Sequence, residues 1–146
     1  MSITHNYEVD LNWVKDRVGI LYSTELNDEV KVATPPQFPK GVDKVWSPEH
    51  LFVAAVNSCL MTTFLAIAEH SKFGFKSFSS KASGKLEMVD GRYLISEITL
   101  MPFLGIYEEE NRANAIKILY KAKLACLISN SVKSTIIFMP EVSVVQ

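Results

Sequence analysis

Cysteine and histidine, the usual ligands of structural zinc, are scarce in this sequence. Its 146 residues include only two cysteines and three histidines, and no C-x-x-C pair or close Cys/His cluster occurs. A structural zinc site is therefore poorly supported. A glycine-rich loop between a strand and a helix is also lacking, which argues against a phosphate-binding motif.

An excess of one charge is lacking too. The chain has 15 basic and 16 acidic residues and a formal net charge of -1. It therefore has no general attraction for nucleic acid or anionic lipid, and its expected partners are small molecules or protein. The N-terminal stretch has no basic segment followed by an apolar one, so no secretory signal is indicated and the cytoplasm is the expected compartment. Cysteines there stay reduced, either as inert core residues or as working thiols.

The apolar residues predict a real core. With 48% hydrophobic residues, the chain is expected to form a single domain over residues 1–146. Its patterning indicates an α+β fold. The predicted elements are strands over residues 7–13, 18–22 and 29–34, a helix over 47–68, strands over 77–89 and 92–104, a helix over 108–126 and a last strand over 134–145. Asp90-Gly91 is a strong hairpin signal, and Pro102 is expected to mark an end or edge of its strand.

The central helix carries the clearest local signals. Ser47 is a suitable N-cap, Pro48 fits the first helical position, and Glu49 places a negative charge at the positive end of the helix dipole. From Leu51 onward apolar residues fall on every face, which is typical of a helix buried all round in a core or a bilayer. A membrane span is disfavoured because polar residues interrupt the run within about the minimum spanning length. They are Asn57, Ser58, Thr62 and Thr63.

The second helix has an apolar stripe at helical spacing, which we interpret as a packing face. The residues of this stripe are Ile116, Leu119, Tyr120, Leu124 and Leu127.

Cys59 lies in the middle of the central helix and is the main candidate for chemistry. A thiol in apolar surroundings has a raised pKa and is inert, and Cys59 is too far from the helix start for the dipole to help. If it reacts, a cation must come to it. Arg17 is the one arginine in a short loop, at or near a hairpin turn, and Glu49 is the natural carboxylate to orient it. The alternative is that Arg17 is an exposed hairpin residue and Glu49 a plain helix-start acid.

A Cys-His hydrolase is a further alternative. His50 or His70 could pair with Cys59, although nothing in the spacing favours such a pair.

Two motifs resemble those of the OsmC/Ohr superfamily of thiol peroxidases. They are W-S-P-E-H-L-F-V-A-A-V-N-S-C-L-M-T at residues 46–62 and A-C-L-I-S-N at residues 125–130. The similarity covers nearly the whole chain. It implies an OsmC-like fold in which antiparallel strands from both ends of the chain surround a long buried central helix and a second helix, in an intertwined homodimer.

The resemblance also implies roles for four residues. Cys59 matches the cysteine that attacks the peroxide, and Cys126 matches the one that resolves the sulfenic acid as a disulfide. Arg17 and Glu49 match the family arginine and glutamate. Leu127 stands where the family usually has proline, and Lys15-Asp16 replaces the glycines that precede the family arginine.

The implied reaction is reduction of a hydroperoxide, organic or hydrogen peroxide, with an external dithiol to reset the cysteine pair. No metal, flavin or haem is needed, because sulfur carries the two electrons. The second hypothesis is a non-catalytic OsmC-like dimer that binds a hydrophobic small molecule in the stress response, since fold alone does not establish function.

The spacing of Glu49 and Cys59 bears on assembly. Ten residues on one straight helix separate them by about 15 Å, too far to meet through one guanidinium. Either the helix breaks, or Arg17 and Glu49 serve the Cys59 of a second subunit. The resemblance and the frequency of two-fold dimers favour active sites shared between chains.

Overall fold

A computed structural model describes residues 3–146 as an α+β protein with two helices and two sheets. The chain forms two compact units, residues 1–51 and residues 52–146. The strands are β1 (Asp10–Lys15), β2 (Val18–Tyr22), β3 (Val30–Ala33), β4 (Ser77–Val89), β5 (Arg92–Ile106), β6 (Thr135–Phe138) and β7 (Glu141–Val144), and the helices are α1 (Pro48–His70) and α2 (Arg112–Ala125). That the whole chain acts as a single domain stays a prediction.

The first unit contains the predicted three-strand meander. Strands β1, β2 and β3 pair antiparallel in chain order, so this prediction is confirmed. Asp16 and Arg17 form the turn between β1 and β2, and Asp16 takes the left-handed conformation with φ 48°. The indole Nε1 of Trp13 donates a hydrogen bond to the carbonyl oxygen of Asp16 at 3.0 Å and fixes the turn.

The second unit is built on the long hairpin of β4 and β5. Asp90 and Gly91 connect the strands with φ of 50° and 78°, which confirms the hairpin prediction, because a two-residue turn with both φ values positive matches the twist of the strands. Gly84 of β4 permits close approach to α1, since a Cβ there would lie 2.6 Å from the Cγ2 of Val53.

The C-terminal strands differ from the prediction. The expected last strand is two short strands, β6 and β7, and both pair parallel with β5 rather than antiparallel. Pro102 does not end β5, which continues to Ile106. Pro102 lies in the gap between two ladders, because pairing with β6 ends at Leu100 and pairing with β7 begins at Phe103. The ladder is interrupted at the place where proline has no N–H to donate.

Helix α1 begins as predicted. The Oγ of Ser47 accepts a hydrogen bond from the backbone N–H of His50 at 3.1 Å, which satisfies one of the donors that a helix start leaves free. The expectation of burial on all sides is wrong for the single chain. A stripe of α1 is buried in the core of residues 52–146, whereas apolar side chains on other faces are exposed. The buried residues are Val56, Leu60, Phe64 and Ala68, and the exposed ones include Phe52, Met61 and Leu65.

By length and composition alone, α1 could cross a membrane. Its buried stripe belongs instead to a core formed with β5, β7 and α2. The other members of that core are Ile98, Leu100, Leu104, Ile106, Ala115, Ile118, Leu119, Ala122 and Val142. Packing of this kind is that of a core helix.

Helix α2 starts later than predicted and turns a different face inward. It begins at Arg112, after a short 3-10 turn at Glu109–Asn111. Of the predicted stripe only Leu119 is buried, and the inward face is Ala115, Ile118, Leu119 and Ala122. Apolar residues fall on two faces of α2, and the face with alanines packs inward because small side chains allow closer approach. The guanidinium of Arg112 donates to the carbonyl oxygen of Val142 and pairs with Glu109, which anchors the helix start.

Candidate functional site

The two cysteines come together in the second unit. Cys59 is partly buried at the middle of α1, and Cys126 is fully buried at the C-terminal cap of α2. Each thiol is near enough to shift the pKa of the other, and both are free. The Sγ of Cys126 also lies 3.9 Å from the carbonyl oxygen of Val56, one turn before Cys59 on α1. The structure therefore brings two thiols from distant parts of the chain near each other.

The pKa of Cys59 is lowered although the thiol is partly buried. Burial raises the pKa, but hydrogen bonds to the sulfur outweigh that effect. The donors are the backbone N–H groups of Ile128 and Leu127 and the side chains of Cys126 and Thr63, whose Oγ1 lies 3.8 Å from the sulfur. Hydrogen bonds to a charged form favour it. Cys59 is accordingly the more readily ionised of the two thiols.

The pKa of Cys126 is raised. Burial is the main cause, and the neighbouring Cys59 acts in the same direction, while the side chain and backbone N–H of Ser129 offset part of the shift. A negative charge on Cys59 opposes a second one beside it. Of the two thiols, Cys59 therefore ionises first and Cys126 keeps its proton to higher pH.

Arg17 lies in the first unit and is exposed in the β1–β2 turn. It borders an open, mostly apolar cavity of about 330 Å³. Within residues 3–146, no ion pair joins Arg17 to Asp16 or to Glu49. The cavity lining also includes Leu11, Trp13, Val18, Val32 and Pro48.

Glu49, in the first turn of α1, has a carboxylate oxygen without a partner. Its Oε1 is buried and accepts no hydrogen bond from any residue in the described part of the chain. Helix α1 continues without a break from Pro48 to His70. Of the two alternatives for the spacing of Glu49 and Cys59, the broken helix is therefore excluded.

His50 is engaged in the cap of α1. Its Nδ1 shares a hydrogen bond with the Oγ of Ser47 at 2.7 Å, and its ring meets that of Trp46 edge to face. This gives His50 a structural role at the helix start.

Sequence reasoning missed the donors that lower the pKa of Cys59. The sequence suggested only a cation as the group that would lower the pKa of Cys59. In the structure the backbone N–H groups of Leu127 and Ile128 are among the groups that lower it. Every residue except proline carries an N–H, so the residue types gave no signal. The polar pair Ser129-Asn130 just after Cys126 was the available hint, because such residues shape turns.

The comparisons with known proteins agree with this architecture. Residues 41–140 match the family model described as OsmC-like protein. The uncharacterized protein YmaD of Bacillus subtilis is 22% identical over 145 residues, covering 96% of this chain and 95% of its own. An OsmC-like protein of unknown function from Vibrio cholerae superposes with a TM-score of 0.82 at 21% identity, covering 94% of this chain and 99% of its own.

A further similar structure is the organic hydroperoxide resistance protein OhrB of Bacillus subtilis. It superposes with a TM-score of 0.70 at 17% identity, covering 95% of this chain and 98% of its own. The likeness shows a shared fold, and the family match extends over most of the sequence. The chain therefore belongs to the family of OsmC-like proteins.

Proposed function

We propose that this protein is a cysteine-based peroxidase that reduces organic hydroperoxides. The proposal is carried by the nearness of Cys59 and Cys126. Each thiol shifts the pKa of the other, and the pKa of Cys59 is lowered while that of Cys126 is raised. A nucleophile needs a thiolate, and a resolving partner needs to lie within reach of it. Similarity to a protein named for organic hydroperoxide resistance supports the choice of substrate.

In the first step the Cys59 thiolate attacks the terminal oxygen of the hydroperoxide. A sulfur–oxygen bond forms, the oxygen–oxygen bond breaks, and the alkoxide leaves and takes up a proton to become an alcohol. Sulfur is oxidised by two electrons to the sulfenic acid. No metal or organic cofactor takes part, since the sulfur atom and the peroxide exchange both electrons directly.

In the second step Cys126 condenses with the sulfenic acid. A disulfide forms and the sulfenic oxygen leaves as water. Ionised Cys59 is one of the causes that raise the pKa of Cys126, and this cause disappears once Cys59 is a neutral sulfenic acid. Cys126 therefore ionises more readily when it is needed. An external dithiol then reduces the disulfide and is itself oxidised.

Arg17 and Glu49 complete the site from a second subunit in our proposal. The buried Oε1 of Glu49 has no partner within residues 3–146, and an unpaired buried carboxylate oxygen is costly. Apolar side chains of β1 and α1 are exposed in the single chain and would be covered in a two-fold dimer. They include Leu11, Trp13, Val14, Met61 and Leu65. A guanidinium at the site would orient the hydroperoxide and stabilise the leaving oxygen.

Mixed dimers test whether the sites are shared. Homodimers of Arg17→Ala are expected to lose about a hundredfold in activity, and those of Cys59→Ser to be inactive. A dimer of one chain of each kind holds one intact site if Arg17 acts across the interface. We expect tagged, purified heterodimers to regain about half of the wild-type turnover in a peroxide consumption assay. Heterodimers that form but regain nothing would show that the site lies within one chain.

The proposed partners are a hydroperoxide, a dithiol reductant and a second copy of the chain, in the cytoplasm. The near-neutral formal charge of -1 gives no electrostatic basis for partners among nucleic acids or membranes.

A second candidate function is binding of a hydrophobic small molecule without catalysis. The cavity of about 330 Å³ beside Arg17, with its apolar lining, favours it. Turnover separates the two functions. We expect the reduced protein to consume an organic hydroperoxide, such as cumene hydroperoxide, in the presence of a dithiol. A failure to do so with several dithiols would favour the binding protein.

A further inference from the structure

Helix α1 lies along the strand β4, and the two run in opposite directions. The ring of Phe64 stacks on that of Phe78 with the centroids 4.9 Å apart. Further along, Val53 lies against Gly84, where a Cβ would come within 2.6 Å of the Cγ2 of Val53. These contacts are apolar, and the hydrophobic effect has no preferred direction. They attract α1 to the sheet more than they fix its position along β4.

A polar pair lies within this apolar contact. The Nδ2 of Asn57 on α1 donates a hydrogen bond to the carbonyl oxygen of Ser80 at 2.9 Å, and the Oγ of Ser80 donates to the Oδ1 of Asn57 at 2.6 Å. Both residues are half-buried, and Ser80 lies between Phe78 and Ala82 on the face of β4 that packs against the core. Because hydrogen bonds depend on distance and angle, the Asn57–Ser80 pair is satisfied in only one register of α1 on β4.

The carbonyl oxygen of Ser80 depends on Asn57 for its hydrogen bond. Within residues 3–146, β4 pairs only with β5, and the residue opposite Ser80 is Pro102. In an antiparallel ladder a carbonyl bonds to the N–H of the residue directly opposite, and proline has no N–H. The sheet therefore offers this oxygen no donor, and the side-chain amide of Asn57 supplies one. A half-buried carbonyl without a partner is costly, so the native register is favoured as long as Asn57 is present.

The register of α1 bears on the position of Cys59 relative to Cys126. Asn57 lies two residues before Cys59, and the carbonyl oxygen of the preceding Val56 lies 3.9 Å from the Sγ of Cys126. Cys126 is placed by α2, which packs on β5 and β7, whereas Cys59 is placed by α1. A slip by one residue moves a helix by about 1.5 Å along its axis. A disulfide needs a Cβ–Cβ distance of about 3.5–4.5 Å, and a slip of that size exceeds the width of this range.

We propose that Asn57 is a positioning residue that fixes α1 on β4 through Ser80 and so keeps Cys59 within bonding reach of Cys126. Its effect passes through the backbone of α1 and not through contact with the reacting atoms. This positioning role rests on the proposed pairing of the two cysteines in a disulfide. Buried polar pairs of this kind are known to specify the register of packed elements.

The substitution Asn57→Ala removes both hydrogen bonds and tests the proposal in the equilibrium of the reduced chain with glutathione. One oxidised glutathione takes up the two electrons and two protons of the thiols, which gives the Cys59–Cys126 disulfide and two reduced glutathiones. We expect the equilibrium constant for this disulfide to fall about tenfold, because α1 then samples registers in which the thiols are apart. Ser80→Ala keeps the bond to the carbonyl oxygen, so it is expected to lower the constant by only about threefold.

Two controls separate positioning from a general loss of stability. Val53→Ala removes apolar packing from the same face of α1 and keeps the Asn57–Ser80 pair, so its melting temperature should fall while its equilibrium constant stays near the wild-type value. Ser58→Ala alters an exposed hydroxyl next to Asn57 and should change neither. Equal constants in wild type, Asn57→Ala and Ser80→Ala would overturn the proposal, and so would an equal fall in Val53→Ala and Asn57→Ala. If Asn57→Ala does not fold, the milder Ser80→Ala decides alone.

These measurements use no peroxide, so the positioning role and the peroxidase can fail separately. A weakened disulfide in Asn57→Ala, in a protein that reduces no hydroperoxide, would keep the positioning role and reject the peroxidase. A wild type that reduces hydroperoxide at Cys59 but forms no disulfide with glutathione would overturn the positioning role and keep the first step of the peroxidase.

Discussion

Cys59→Ser is expected to abolish hydroperoxide reduction, with a loss of at least about a thousandfold that leaves only the uncatalysed rate. The oxygen of serine stays protonated at neutral pH and cannot take up two electrons as sulfur does. Because serine is close to cysteine in size and Cys59 is only partly buried, the fold is expected to persist. The measurement is consumption of an organic hydroperoxide by the reduced variant with a dithiol present.

Ser58→Ala is a suitable control for that substitution. Ser58 is the residue before Cys59 on α1 and is exposed, and its Oγ donates a hydrogen bond to the carbonyl oxygen of Ala55 within the same helix. It should keep wild-type turnover. Substantial activity in Cys59→Ser would show that the peroxide reacts elsewhere in the chain.

Cys126→Ser is expected to stop the protein after a single turnover. Its Cys59 should reduce about one equivalent of hydroperoxide per chain and then remain as sulfenic acid, open to further oxidation to the sulfinic acid. Serine retains a hydroxyl that can donate to the Cys59 thiolate, so the first step should be little affected. Mass spectrometry of the peptide that contains Cys59 measures the added oxygen atoms.

The wild type provides the comparison for this trapping experiment. Under the same excess of hydroperoxide its Cys59 should be found in a disulfide and not as sulfinic acid. Sustained turnover by Cys126→Ser with the same dithiol, at the wild-type rate, would mean that the external thiol resolves the sulfenic acid and that Cys126 has no role in the cycle.

The parts of the fold that sequence predicted are those set by short-range signals. Ser47 and Pro48 mark the start of α1 because caps act within one turn of helix. Asp90-Gly91 fixes the β4–β5 turn because only certain residues accept positive φ without strain. These effects depend on neighbouring residues, which a sequence displays directly.

The parts that sequence did not predict depend on distant partners. The parallel pairing of β6 and β7 with β5 is a choice between strands far apart in the chain. The prediction of the inward face of α2 is wrong because the exposed Ile116 and Leu124 are as apolar as the buried Ile118, and only the neighbouring elements decide which side is covered. Local periodicity cannot distinguish two apolar faces.

The residues of the candidate site also differ in whether the local sequence reveals them. Cys59 stood out because a cysteine within a helical run is visible in the residues themselves. Its pairing with Cys126 came from the family resemblance, since the two cysteines belong to distant segments of the chain. The effect of the Leu127 and Ile128 amides on Cys59 could not be predicted from the sequence. Their direction depends on the extended conformation of Cys126, which ends α2. The roles of Arg17 and Glu49 stay predictions.

The most direct test of the peroxidase is a single turnover of the reduced wild type without any added dithiol. One equivalent of cumene hydroperoxide per chain should yield one equivalent of the alcohol, the loss of two thiols, and a disulfide that links the peptides of Cys59 and Cys126. The same addition to Cys59→Ser should leave the hydroperoxide and the remaining thiol intact. Hydroperoxide that persists with fully reduced wild type, and both thiols still free, would contradict the account.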